Sequence, residues 1–147
     1  MDALASLALS TDDMHVTIPA ALAELILAHA AAGSPREACG LLLGDAAAIV
    51  EARPSANIAA DPYTAFLLDP ATRVAAERAA RTGGPAVVGW YHSHPSGDPR
   101  PSVADAAAVG PGGALWLIVA GGSIAAWYSR IGGTVHARFD PATLSIV

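Results

Sequence analysis

Gly89-Trp90-Tyr91-His92-Ser93-His94-Pro95, continued through Pro101-Ser102-Val103-Ala104-Asp105, is the stretch on which the reading of the chain turns. Ala86 to His92 is an apolar run with paired valines and two aromatics, which reads as a strand carrying histidines at its C-terminal end. Side chains alternate along a strand, so His92 and His94 share one face and Ser93 takes the other. Two imidazoles so placed can grip one ion. Pro95 removes a backbone donor and stops the strand. The proline-rich loop Ser96-Gly97-Asp98-Pro99-Arg100-Pro101 then turns the chain back, so that a short helix starting at Ser102 presents Asp105. Two neutral histidines and one carboxylate would leave a tetrahedral zinc (Zn2+) with an open fourth position for water, the arrangement of a catalytic rather than a structural site.

Hydrolysis at such a centre needs a base that takes the water proton and passes it to the leaving group. The candidate is Glu37, which heads the short buried strand Ala38-Cys39-Gly40-Leu41-Leu42-Leu43-Gly44. Burial would raise its pKa and a nearby cation would lower it, and the sequence leaves that balance open. Ser102 lies one turn before Asp105 on the same helix face, where its hydroxyl could help stabilise an oxyanion. Each feature also has a purely structural reading. His-x-His is common at strand ends, Ser102-x-x-Asp105 is a capping-box variant, and Glu37 alone would be a solvated residue before a strand. Cys39 reads as a small buried hydrophobe, and Trp90, Trp116 and Trp127 as core or sheet-face residues. His15, His29 and His136 have no partners by spacing and receive no role.

Outward from this stretch, Met14 to Ile18 alternates as a strand, and Pro19 opens an alanine- and leucine-rich helix that ends near Gly33 before Ser34-Pro35. The strand after Glu37 and a second one over Ala48 to Arg53 are joined at Gly44-Asp45 as a hairpin. Pro54 to Pro62 reads as loop and Thr64 to Leu68 as a short strand. Asp69-Pro70 caps a helix that stops at Gly83-Gly84. Three strands follow the short helix: Ala114 to Ala120, Ser123 to Arg130 and Thr134 to Phe139, separated by Gly121-Gly122 and Gly132-Gly133. The sum is an α/β (α+β) fold, with a mostly antiparallel mixed sheet flanked by two longer helices and one short helix.

The 147 residues, 53% of them hydrophobic, suit a single domain, with a core over about 14–140 and residues 1–13 as a leader. That leader carries Asp2 where an export signal would carry a basic residue, and no stretch approaches the ~20 apolar residues of a membrane helix. The single cysteine fits a reducing compartment, so the cytoplasm is the expected location. A net charge of -5 and the lack of a Lys/Arg cluster speak against nucleic acid as a partner.

The combination of His92-Ser93-His94-Pro95, six further residues, Ser102-Val103-Ala104-Asp105, and an upstream Glu37 before Ala-Cys-Gly-Leu-Leu resembles the JAMM motif of the MPN-domain metallopeptidases. Pro35-Arg36-Glu37-Ala38-Cys39-Gly40-Leu41-Leu42 looks particularly like the prokaryotic stand-alone branch. The resemblance implies a three-layer, cytidine-deaminase-like arrangement and one catalytic zinc. It implies His92, His94 and Asp105 as ligands, Glu37 as general base and Ser102 as an oxyanion or water-positioning group. It also implies a ubiquitin-like or sulfur-carrier β-grasp protein, cut after C-terminal glycines, as substrate. The short glycine-rich turn after Asp105 has no room for the long substrate-gripping insertion of some eukaryotic members, and the residues for a second structural zinc are lacking. The expectation is therefore a zinc peptidase or isopeptidase, with homodimerisation left open. The alternatives are a catalytically silent MPN scaffold that serves as an interaction module, and a relative of DNA-repair-associated members of the fold.

Overall fold

The computed structural model describes residues 14–147. The expected leader, residues 1–13, lies outside the described residues. Among the described residues seven strands form one sheet: β1 (His15–Ile18), β2 (Cys39–Gly44), β3 (Ile49–Ser55), β4 (Ala86–Ser93), β5 (Leu115–Ala120), β6 (Ser123–Ser129) and β7 (Phe139–Ile146). Their order is β1-β7-β6-β5-β4-β2-β3. The β1–β7 and β4–β5 pairs are parallel and the other four antiparallel, which is the mixed, mostly antiparallel sheet expected. The sheet curls until Thr17 of β1 donates to the carbonyl of Ala47 at 2.9 Å, beside the β2–β3 hairpin.

Three helices flank the sheet among the described residues: α1 (Ala20–Gly33), α2 (Pro70–Arg81) and α3 (Val103–Ala107). Helix α1 buries Ala23, Ile26 and Ala30, a stripe at helical spacing. The stripe packs on the face bearing Leu42, Tyr91, Leu117 and Val119. The opposite face carries Leu41 and Leu43, against which α2 sets Ala76. Alternate leucines of β2 thus point into two different layers. This is why Cys-Gly-Leu-Leu-Leu reads as a continuous apolar run rather than an alternating one. Asp69 accepts from the amide of Ala71 and Pro70 occupies the first turn, so α2 begins where the cap signal places it. No helix among the described residues is long and apolar enough to cross a membrane.

Two strand expectations are corrected. Thr64 to Leu68 is not a strand: only one bridge, Asn57 with Leu68, forms there. The segment is a loop held by the Asn57 side chain, which donates to the carbonyls of Glu37 and Ala65 and accepts from the amides of Ala59 and Leu67. The last strand is not Thr134 to Phe139 but Phe139–Ile146. His136 and Ala137 adopt φ of 52° and 57°, which breaks the extended run. Pro141 lies inside this strand, and β1 pairs with β7 only from Thr143 onward. One side of the strand is therefore open at Pro141, and a residue without an N–H is tolerated. By the same rule Pro54 sits inside the edge strand β3, which runs to Ser55.

Candidate metal centre

The site forms where β2 and β4 begin to diverge. Cys39 is registered against His92, and Ser93 extends the pairing by donating its amide to the Ala38 carbonyl at 3.0 Å. Its hydroxyl accepts from the Ala38 amide at 2.8 Å. In that register Glu37 stands across from His94 on the same sheet face as His92. Ligand-type atoms of Glu37, His92 and His94 all lie within 4.8 Å of one another, and all three residues are buried. The Glu37 amide donates to Pro62 at 2.7 Å and its carbonyl accepts from Asn57 at 2.9 Å. Both backbone groups of this carboxylate are thus fixed by the loop after β3.

Asp105 arrives from α3. Ser102 Oγ accepts from the Asp105 amide at 3.0 Å and Asp105 Oδ2 accepts from the Ser102 amide at 2.9 Å, so the capping box is formed in full. The same carboxylate also faces the histidines, 3.1 Å from His92 Nε2 and 3.1 Å from His94 Nε2. The two Nε2 atoms are 3.0 Å apart. Ligands about 2.0–2.1 Å from a tetrahedral ion stand roughly 3.3 Å from each other, so the three donor atoms are spaced much as neighbouring ligands of one divalent cation would be. Tautomer supports the fit. His94 Nδ1 lies 2.7 Å from the Asp98 carbonyl, which can only accept. The proton therefore sits on Nδ1, and neutral His94 aims a lone pair from Nε2 at the cluster. Glu37 Oε1 and His92 Nδ1 are buried without partners among the described residues.

The electrostatics follow from burial and these contacts. Desolvation pushes Glu37 up to about 7, with His94 opposing and Asp105 adding to the shift. Burial lowers His92. In His94 burial also lowers, but the hydrogen bonds to Asp105 and the Asp98 carbonyl outweigh it and the value rises. Burial likewise fails to decide Asp105: bonds from His92, His94 and the Ser102 amide hold it well below the usual carboxylate range. Cys39 is driven to about 12 by burial, so it remains a protonated thiol and not a nucleophile.

All five residues singled out in the sequence, Glu37, His92, His94, Ser102 and Asp105, meet at one end of the sheet. Phe66 and Asn57 are additions. Phe66 stacks on the His92 ring, centroids 4.2 Å apart and planes 20° from parallel, and covers its buried side. Neither residue shows a spacing signal, because both sit in an irregular loop. Phe66 and Trp116, which both pack on His92, also wall a groove of about 710 Å3. The groove continues along Trp90, with the Arg73 guanidinium 5.5 Å from that ring, to the glycine-rich turn at Gly110–Gly113.

The chain is similar to several known proteins. The desampylase of Haloferax volcanii is 41% identical over 99 residues, 63% of this chain and 71% of that protein. A probable TtuB-protein conjugate cleaving protease of Thermus thermophilus is 34% identical over 88 residues, 60% of this chain and 59% of the relative. Among solved structures, a protein of Desulfitobacterium hafniense superposes with a TM-score of 0.75 at 25% identity, over 90% of this chain and 92% of the other. A JAB1/MPN domain protein of Archaeoglobus fulgidus shares the fold, with a TM-score of 0.56 at 22% identity over 90% of this chain and 96% of that one. Residues 19–130 match the family described as prokaryotic homologs of the JAB domain, and the chain belongs to that family.

Proposed function

We propose that this JAMM-type hydrolase is a zinc-dependent peptidase or isopeptidase that cleaves the bond after the C-terminal glycines of a ubiquitin-like or sulfur-carrier protein. The observation that carries the reading is the buried cluster in which Glu37 lies beside the facing Nε2 atoms of His92 and His94. The activities named for the Haloferax and Thermus relatives support the substrate class. His92, His94 and Asp105 would hold the ion, and a zinc bound there supplies Lewis acidity and makes a water acidic enough to attack near neutral pH.

The chain's own groups do the rest. Glu37, raised to about 7 by its surroundings, is poised to take a proton from the attacking water at neutral pH and return it to the leaving amine nitrogen. Ser102 Oγ accepts from the Asp105 amide, so its hydroxyl proton is free to donate to the oxyanion of the tetrahedral intermediate. Phe66 and Trp116 exclude water from one side of His92. The groove they wall is lined by none of the cluster residues, and glycines at the end of an extended substrate tail would let its backbone approach the buried cluster closely.

The test is a β-grasp carrier protein extended beyond its final glycine, both linearly and through a lysine side chain. Cleavage after the second glycine, abolished by chelator and restored by zinc, is the expected result. Cleavage that persists in chelator, or none on either substrate with zinc bound at one equivalent, would overturn the reading.

A further inference from the structure

Pro95, Pro99 and Pro101 leave the loop between His94 and α3 short of amide donors. Within it the only backbone bond is Gly97 to the His94 carbonyl, at 2.9 Å. The Arg100 amide adds a bond to the Asp98 side chain at 3.0 Å. The Asp98 amide also reaches Ser96 Oγ, at 3.4 Å. With so few bonds of its own, the loop must still place the Asp98 carbonyl under His94 and the Ser102 cap at Asp105. Two side chains from elsewhere in the fold hold it. Trp127 Nε1 of β6 donates to the Pro99 carbonyl at 3.0 Å, and His136 Nε2, from the β6–β7 loop, donates to the Pro101 carbonyl at 3.1 Å.

Each anchor serves one flank. Pro99 follows Asp98, whose carbonyl fixes the His94 tautomer. Pro101 precedes Ser102, whose amide bonds Asp105 Oδ2. The arm that carries His136 is itself held firmly. Asp140, 1% exposed, accepts from Arg130 and from the Thr134 amide, and the Arg130 amide bonds the Arg138 carbonyl at 2.8 Å. His136 and Ala137 keep left-handed backbone that non-glycine residues rarely adopt. Where a structure imposes such a conformation, what the bent residue reaches is a candidate reason.

We infer that Trp127 and His136 are positioning residues that clamp the proline loop and so hold His94 and Asp105 at the spacing one cation requires. This rests on the reading of His94 and Asp105 as ligands of a common ion. The variants are Trp127→Phe, which keeps an aromatic side chain and removes the N–H, His136→Ala, and His136→Gln, whose amide can reach the same carbonyl. Zinc affinity is measured by competition with a chromophoric chelator, and the melting temperature of the chelator-treated protein alongside it. Outer partners of metal ligands commonly change affinity ~10–100-fold. Trp127→Phe and His136→Ala should each weaken zinc binding about tenfold with the metal-free melting temperature little changed, and His136→Gln should regain most of the loss. Affinities within twofold of wild type in both Trp127→Phe and His136→Ala overturn the clamp while leaving the metal centre standing. A wild-type protein that binds no zinc overturns both. If His136→Ala does not fold, Trp127→Phe and His136→Gln decide: weakened binding in the first with near wild-type binding in the second supports the clamp.

Discussion

Replacing Glu37 by glutamine should make the metal-free protein more stable at alkaline pH while removing its activity. Glu37 is 6% exposed and one of its carboxylate oxygens has no partner among the described residues. Burial raises its pKa from 4.5 to about 7, and each unit corresponds to about 1.4 kcal/mol. Below pH 4.5 the group is neutral whether the chain is folded or not, and no penalty applies. Between pH 4.5 and 7 the folded protein retains a proton that the unfolded chain has released, so stability falls as pH rises through this window and levels off above it. At pH 8 the buried charge then costs about 3 kcal/mol. Glutamine keeps the shape without the charge, and ~2–4 °C per kcal/mol for a chain of this size gives a gain of about 6–12 °C in Tm. The assay is thermal unfolding of both proteins in chelator from pH 4 to 8.5. The gain should vanish at pH 4, and saturating zinc should shrink it at pH 8 because a cation favours the carboxylate. Equal melting curves at pH 8, or a gain independent of pH, would refute the argument. Turnover of the zinc-loaded glutamine variant should fall at least ~100-fold, the loss of a general base, with metal content unchanged.

His92→Ala removes the Nε2 donor and should abolish stoichiometric zinc binding; a variant that still holds one equivalent by metal analysis would take His92 out of the ligand set. Gly40→Ala should destabilise by about 1–3 kcal/mol, because a Cβ there would overlap the Tyr91 ring. Moving that fully buried ring would strain its hydroxyl's bond to His29 Nδ1, now at 2.7 Å. A lower urea midpoint with an unchanged slope is the expected signature, and a wild-type midpoint would contradict it.

The features legible in the sequence are those that depend on short-range chemistry. The His-x-His alternation, the Ser102–Asp105 cap and the Asp69-Pro70 start of α2 are each written within four residues, and each is found where its signal stands. Ser102-x-x-Asp105 offered a structural and a ligand-presenting reading as alternatives. The geometry lets one carboxylate face both the Ser102 amide and the two imidazoles. What escaped depends on partners distant in the chain. Pro141 counts against a strand unless the neighbour's starting residue is known, and Phe66 looks like strand material until Asn57 is seen gathering the loop around it. His136 had no partner by spacing; its partner is a carbonyl 35 residues away.

The parallel pairing of β1 with β7 has a consequence for synthesis on the ribosome. The first described strand finds its ladder only in the last one, and the Ala20 amide at the start of α1 bonds the carbonyl of Val147 at 2.9 Å. A nascent chain can assemble β2 through β6 as they emerge, including the strand bearing the histidines. It must keep the apolar Val16 and Ile18 without their ladder partners Leu144 and Ile146 until β7 has emerged. A chain cut short before β7 would therefore leave Val16 and Ile18 of β1 exposed, far from the histidine pair.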